Sequence, residues 1–415
     1  MINQDPVIFG LLTTIIGLIF YTSKSSHPIW QQIYRFVPVM VMCYVLPSLL
    51  NTFNIVDASH SDLNTVTSMY LMPACLALLI ISVDIKSMLL LGPKIIILFL
   101  VGSLGVIIGG PLTLLIFAKV APETINWVGD GAAWKGMATL AANWVGGTAN
   151  QIAMKEIYQV EESLFAIMIS VNVIYSAIWM SFLLICANNA KTIDKKLGSD
   201  ASQFNKLISI TDREVSEHNI TNKQTAPSLN TYMMMFSVAF GVTGLAHFGA
   251  DLLAPFFTEH YPSTAKYSFT SKFFWIVIIV TTMSIILSNT KARELESAGA
   301  SKVSTVMLYC LIGNMGLQMD LTMIDDFPIY FAIGFVWLSI HAIFVIIAGL
   351  LMKAPVAYMA LASQCCIGGA ASSPVVAMAF HRSLAPVAIM FSVFGYAWAT
   401  YMAWICAEMM RMTSQ

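Results

Sequence analysis

Charge is what this sequence has least of. Of its 415 residues only 10% are Asp, Glu, Lys or Arg, against 58% that are hydrophobic. Soluble domains carry about 25% charged residues. A chain this poor in charge cannot clothe a water-facing surface, which excludes an ordinary cytosolic enzyme and a disordered protein. A basic excess is also missing, because 21 Lys and Arg stand against 22 Asp and Glu. That excludes a nucleic-acid partner. The sequence lacks a GxxxxGK[ST] phosphate loop, an HExxH zinc motif, a GxSxG nucleophile elbow and an Arg-rich voltage-sensing helix. No ATP motor, metalloprotease or serine hydrolase is therefore expected, and the chain is not read as an enzyme.

Metal-ligand spacing is absent too. Cys43, Cys75, Cys186, Cys310, Cys365, Cys366 and Cys406 all lie in apolar stretches without a CxxC or Cys/His pattern. They read as small apolar fillers. The N-terminus lacks a signal-peptide shape, since Asp5 and no basic residue precedes the first apolar run, so Pro6–Tyr21 is expected to remain as a membrane segment.

Long apolar runs are plentiful. Twelve windows approach the 20 or so residues of a membrane helix. They lie near 5–22, 34–51, 67–84, 93–118, 132–155, 163–187, 230–255, 271–288, 303–320, 327–352, 354–380 and 384–409. Alternating ten-residue strands are not found, which excludes a barrel. The expected fold is an all-α polytopic membrane protein. Its surroundings are a lipid bilayer, read as a bacterial inner membrane.

Residues 188–229 interrupt this pattern with 11 of the 43 charges, Lys191 and Glu217 among them. They form a solvated linker between segments 1–187 and 230–415. A central linker suggests duplication. Setting Gly146-Gly147 over Gly368-Gly369 fixes an offset of 222, and residues 137–180 then match 359–402 at 12 of 44 positions without a gap. Upstream, Asp84 and Pro93 recur as Asp320 and Pro328. Six windows per half would leave the halves pointing the same way. The basic residues disagree: Lys86 and Lys94 follow the third window, but Lys291, Arg293 and Lys302 precede the ninth. That flip predicts inverted repeats. A re-entrant or split segment in each half would reconcile the two signals.

Two windows break the helix pattern at matched places, about 132–155 and 354–380. One holds Asn143, Gly146, Gly147, Thr148, Asn150 and Gln151. The other holds Gln364, Gly368, Gly369, Ser372, Ser373 and Pro374. Adjacent glycines and a proline disfavour a continuous helix. In lipid the freed backbone groups need protein or a watery cavity, and half-helix ends attract ions. A lone glycine pair reads as close helix packing. Two pairs at equivalent positions, both flanked by amides or hydroxyls, predict a midplane site for a solute or ion. Thr148, Asn150 and Ser372 supply oxygens for Na⁺. His341, midway along its window, is a candidate for proton coupling. Asp84 and Asp320 at segment ends are weaker candidates.

The Trp144–Asn150 stretch, Pro73 with Asp84, and Gly368–Ser372 resemble the YjcL-like bacterial integral membrane family, a domain of unknown function. The resemblance covers nearly the whole chain. That family is similar to the cation–proton antiporter and bile-acid/sodium symporter group. This implies inverted repeats whose two broken helices cross at the midplane, at 146–151 and 368–373. Sodium–proton antiporters of that group carry acidic residues beside the crossover. Here 163–187 has none and 384–409 has only Glu408, which favours a symporter or exchanger of a small organic solute. The expected function is a secondary active transporter that moves a small polar or anionic solute by alternating access. Its coupling ion is Na⁺ or H⁺, it needs no other cofactor, and it is expected to dimerise. A passive channel and an intramembrane enzyme are the rival readings.

Overall fold

The structure is a computed structural model. It describes residues 1–37, 39–57, 61–84, 88–89, 91–122, 132–199, 208, 227–318, 327–381 and 384–414. Most of the 188–229 linker and all of the Asp320 region lie outside the described residues. Among the described residues the chain is helical, with no β-strand and one isolated bridge between Ile2 and Val56. The main helices are α1 (Asp5–Ser23), α2 (Pro28–Phe36), α3 (Val39–Thr52), α4 (Leu63–Ile81), α5 (Pro93–Val120), α6 (Ala133–Gly146), α7 (Thr148–Tyr158), α8 (Glu162–Asn188) and α9 (Ala190–Leu197). After the linker come α10 (Leu229–His260), α11 (Lys272–Ser288), α12 (Ala300–Gln318), α13 (Phe327–Leu351), α14 (Val356–Ile367), α15 (Gly369–Phe380) and α16 (Ala385–Thr413). Among the described residues seven helices are long and apolar enough to cross a membrane: α1, α4, α5, α8, α10, α13 and α16. The protein is therefore a multi-pass membrane protein of helical type.

Small residues decide which helices approach closely. On α5, Gly102 lies under His341, Gly105 under Phe344 and Gly109 under Trp337, all three on α13. This spacing of three and four residues lines one helix face and lets the backbones approach. The Trp337 indole then reaches across to donate to the Val106 carbonyl at 2.7 Å. On α12, Gly313 and Gly316 receive Leu12 of α1 and the Tyr44 backbone of α3. α4 carries a π-helical turn at Thr67–Leu71. Such a turn leaves carbonyls outside the regular ladder, and the Met69 carbonyl is bonded by His247 of α10 at 2.8 Å.

Contacts along the helices give their directions. Thr67 pairs with Asn314 and Cys75 with Ser304, so α4 and α12 are antiparallel. The α5–α13 contacts above are antiparallel as well. α16 runs parallel to α5, because Phe99 packs on Phe391, Ser103 accepts from Trp398 and Gly110 faces Met410. The start of α5, the end of α13 and the start of α16 thus share one end of the bundle. Asp194 of α9 lies there too, accepting from the Val356 amide at 2.8 Å. The end of α16 is at the opposite end, where Glu408 accepts from Tyr158 at 3.1 Å.

Candidate functional site

The two interrupted windows are interrupted where expected, but neither continues as a rod. Trp134, near the start of α6, packs on Tyr158, the last residue of α7, with ring centroids 5.3 Å apart. Residues 24 apart on an unbroken helix would lie about 36 Å apart. The α6–α7 segment therefore folds back as a hairpin, both feet at the Tyr158 end. α14 begins just after α13 ends, and α15 ends just before α16 begins. Both junctions lie at the Asp194 end. Across this second hairpin, Cys365 and Ser373 both donate to the Ala388 carbonyl, each at 3.4 Å, and Gln364 donates to Ser372 at 2.8 Å. The hairpins enter from opposite ends and their tips meet: a Cβ built on Gly369 would stand 3.9 Å from the Gly147 Cα.

Each glycine of the two pairs has its own reason. Gly147 sits at φ 84°, ψ −177° and Gly369 at φ 59°. These positive-φ conformations, the first essentially confined to glycine, turn the chain back on itself. The preceding glycines are needed for space. A Cβ on Gly146 would lie 2.3 Å from Ala399, and one on Gly368 would lie 2.0 Å from the Ser372 hydroxyl. The glycine pair therefore reverses the chain as well as breaking a helix.

The side chains named from sequence fall into different environments. Asn150 is buried and engaged on both sides of its amide. It donates to the Gly146 and Tyr396 carbonyls at 3.2 and 3.1 Å and accepts from Thr400 at 2.9 Å. It bolts the first tip to α16. Ser372, its equivalent at the offset of 222, donates to the Gly368 carbonyl at 2.8 Å, as Asn150 does to Gly146. Ser373 pairs with Ser392 of α16 at 2.8 Å. Asn143 donates to Gln151 across the first hairpin. That leaves two buried amide atoms without a partner, the Gln151 Nε2 and the Gln364 Oε1, one in each hairpin beside its tip. A buried donor or acceptor left unpaired costs about 1–3 kcal/mol, so both atoms gain from a bound polar group.

Thr148 faces a cleft instead. The cleft is lined by Thr148 and Ile152 of α7, Phe165 and Ile169 of α8, Tyr44 of α3, and Ile312 and Met315 of α12. The Tyr44 hydroxyl is buried without a hydrogen-bond partner. Thr148, Asn150 and Ser372, expected to share a Na⁺, thus occupy three distinct settings: a cleft wall, a bolt to α16 and the neck of the second hairpin.

His341 is fully buried and both ring nitrogens are partnered. Nδ1 donates to the Gly102 carbonyl at 2.8 Å, and Nε2 pairs with the Ser363 hydroxyl at 2.7 Å. Ser363 in turn accepts from the Trp179 indole at 2.9 Å. A carbonyl can only accept, which puts the imidazole proton on Nδ1. The ring ties α5, α13 and α14 together. Asp84 lies at the rim and forms an ion pair of 2.8 Å with Arg293.

Sequence inspection missed two features. The receiving surface of the first tip, Gly395, Tyr396, Ala399 and Thr400, lies within α16. Gly395, where a Cβ would lie 2.7 Å from the Val145 carbonyl, was its only legible mark. At the feet of that hairpin lies a partly buried charge network. Lys155 pairs with Glu162 and, at 3.6 Å, with Glu156. Glu408 accepts from Tyr158 and from Arg411 at 2.9 Å. Lys155 is 4% exposed, and no local sequence signal marked it, because it stands in a polar run beside Glu156.

No curated protein matches the chain. Residues 10–413 match the family model described as "Protein of unknown function (DUF819)", and the chain belongs to that family.

Proposed function

We propose that the protein is a secondary active transporter of a small polar or anionic solute, working by alternating access with Na⁺ or H⁺ as the coupling ion. The observation that carries this reading is the meeting of two hairpin tips that enter from opposite ends. Each tip brings a helix N-terminus, at Thr148 or Gly369, and a helix C-terminus, at Gly146 or Ile367. The first carries partial positive charge and the second partial negative charge. Such a pair of tips attracts an anionic group and a cation together, without acidic side chains beside it. The unpaired Gln151 donor and Gln364 acceptor add directional contacts for the solute.

In this reading each half has five crossing helices and one re-entrant hairpin. The first half crosses with α1, α3, α4, α5 and α8, the second with α10, α11, α12, α13 and α16. An odd count per half inverts the second against the first, as the basic residues suggested. The hairpins with α5, α8, α13 and α16 form the moving core, and α1, α3, α4 and α10–α12 form the scaffold. The cleft between Thr148 and Tyr44 lies between the two groups, where access would alternate. Fold-back hairpins stand here in place of the crossing broken helices that the resemblance to the antiporter and symporter group implied. The bacterial inner membrane is the setting, and the scaffold supplies the surface for a homodimer.

Purified protein screened for thermal stabilisation by small carboxylates, phosphates and neutral polar solutes, with and without Na⁺, identifies the solute. Flux into proteoliposomes then decides the mechanism. Uphill accumulation driven by a Na⁺ or pH gradient is expected. Purely downhill flux, unaffected by either gradient, would overturn coupled transport.

A further inference from the structure

A second cavity lies far from the tips in character, at the Asp194 end between α8, α9, α13 and α14. Its volume is about 250 Å³ and its walls include Phe182, Ile193, Leu197, Ile346, Leu350 and Ser363. Ser363 contributes a hydroxyl, and that hydroxyl is engaged by Trp179 and His341. The groove therefore offers a ligand hydrocarbon contact and almost no hydrogen bonding. Ile178, Phe182 and Ile185 of α8 and Ile343, Ile346 and Ile347 of α13 are exposed and apolar. These two flanking faces suit lipid, not water.

One rim of the groove is α9, a short amphipathic helix. Its Ile193 and Leu197, four residues apart, turn into the groove. Its Lys191, Lys195 and Lys196 are exposed. Lys353, also exposed, lies in sequence between the groove-lining Leu350 and Val356. Against these four lysines the helix sets one acidic residue, Asp194, so the rim carries a net positive charge. An apolar slot with a cationic rim at the membrane surface matches a lipid whose tail is hydrocarbon and whose headgroup is an anion.

We propose that this groove is a binding site for an anionic phospholipid of the surrounding membrane, one acyl chain in the slot and the phosphate against the α9 lysines. Each cation near an anionic headgroup adds to the attraction. The site also touches the second hairpin through Val356, Met359 and Ala360 of α14. A lipid seated there would brace the foot of one moving part.

The test uses the full chain in detergent, stripped of lipid, with phosphatidylglycerol or phosphatidylcholine added back. Retained lipid is counted by native mass spectrometry and stability is read by melting temperature. Phosphatidylglycerol is expected to bind and stabilise more than phosphatidylcholine. The triple variant Lys191→Glu/Lys195→Glu/Lys196→Glu should lower phosphatidylglycerol affinity tenfold or more, and Ala342→Trp, which fills the slot from α13, should remove binding of both lipids. The charge variant changes only exposed side chains, so it serves even if Ala342→Trp fails to fold. Equal binding of the two lipids, or phosphatidylglycerol affinity unchanged in the charge variant, would overturn the proposal. Neither result bears on solute transport at the tips, which proteoliposome flux tests separately.

Discussion

Asn150 and Gln151 are neighbours in sequence and differ in what their amides do, which makes them a paired test of the site. Asn150→Ala removes three hydrogen bonds, to Gly146, Tyr396 and Thr400. At about 1 kcal/mol net each the loss is about 3 kcal/mol. The Thr400 hydroxyl already lies 3.4 Å from the Tyr396 carbonyl and can recover part of it, leaving about 2 kcal/mol. Gln151→Met behaves differently. It deletes an amide nitrogen that has no partner and orphans the Asn143 donor, one unpaired buried group exchanged for another. Stability should change little. The donor offered to a solute is gone, however, and hydrogen bonds to charged groups contribute about 1.5–3 kcal/mol, which is roughly 10- to 150-fold in affinity. Melting temperature and proteoliposome uptake are measured on both variants. Asn150→Ala should melt several degrees lower, and Gln151→Met should melt near wild type with uptake lost at low solute concentration. Full uptake by Gln151→Met, or an Asn150→Ala protein as stable as wild type but unable to bind solute, would refute the division of labour.

Four further outcomes follow from the geometry. In a cysteine-free background, Trp134→Cys/Tyr158→Cys should be joined by a short thiol cross-linker, because the two rings are in contact; no cross-link with a 10 Å reagent would favour a continuous rod. Gly147→Ala should cost about 1–3 kcal/mol, since few side chains tolerate φ 84° with ψ −177°. Gly244→Ala in α10, which meets nothing within 4 Å, should be neutral or slightly stabilising by melting temperature. His341→Gln should lower stability and leave the pH profile of flux unchanged, because both ring nitrogens already serve structural partners; a displaced profile would assign His341 to proton coupling.

The helical membrane class was legible from charge scarcity and run length, because both follow from solvation alone. The hairpin tips were legible too, since Gly146-Gly147 and Gly368-Gly369 stand out against long apolar runs and carry the same offset. What local pattern could not give was the direction of the chain after each break. A hydropathy window of 24 residues looks the same whether it crosses once or turns back at its middle. The turn is written in one backbone angle at Gly147 and one at Gly369, and in contacts such as Trp134 with Tyr158 that join residues far apart in sequence. The roles of the polar residues were hidden for a similar reason. Asn150 and Gln151 are both amides beside a glycine pair, and only the Tyr396 carbonyl and Thr400 hydroxyl of α16, more than 240 residues away, separate the fully engaged amide from the one with an unpaired nitrogen.

The hairpin geometry also bears on the scarcity of charge at the site. A transporter that binds an ion with carboxylates in the bilayer must desolvate them, at a cost of several kcal/mol each. Two tips that present helix ends provide partial charges already fixed by the backbone ladder, with no group to protonate. The ionisable side chains can then stay at the hairpin feet. Lys155, Glu156, Glu162, Glu408 and Arg411 are gathered there in mutual pairs. Lys155 and Glu162 bridge α7 to α8, and Tyr158 with Glu408 bridges α7 to α16. Both links are internal to the proposed core, so they would hold the first hairpin to its neighbours whichever way the core faces. In the proposed transporter these charges would keep the hairpin rigid, and the neutral tip would bind the solute.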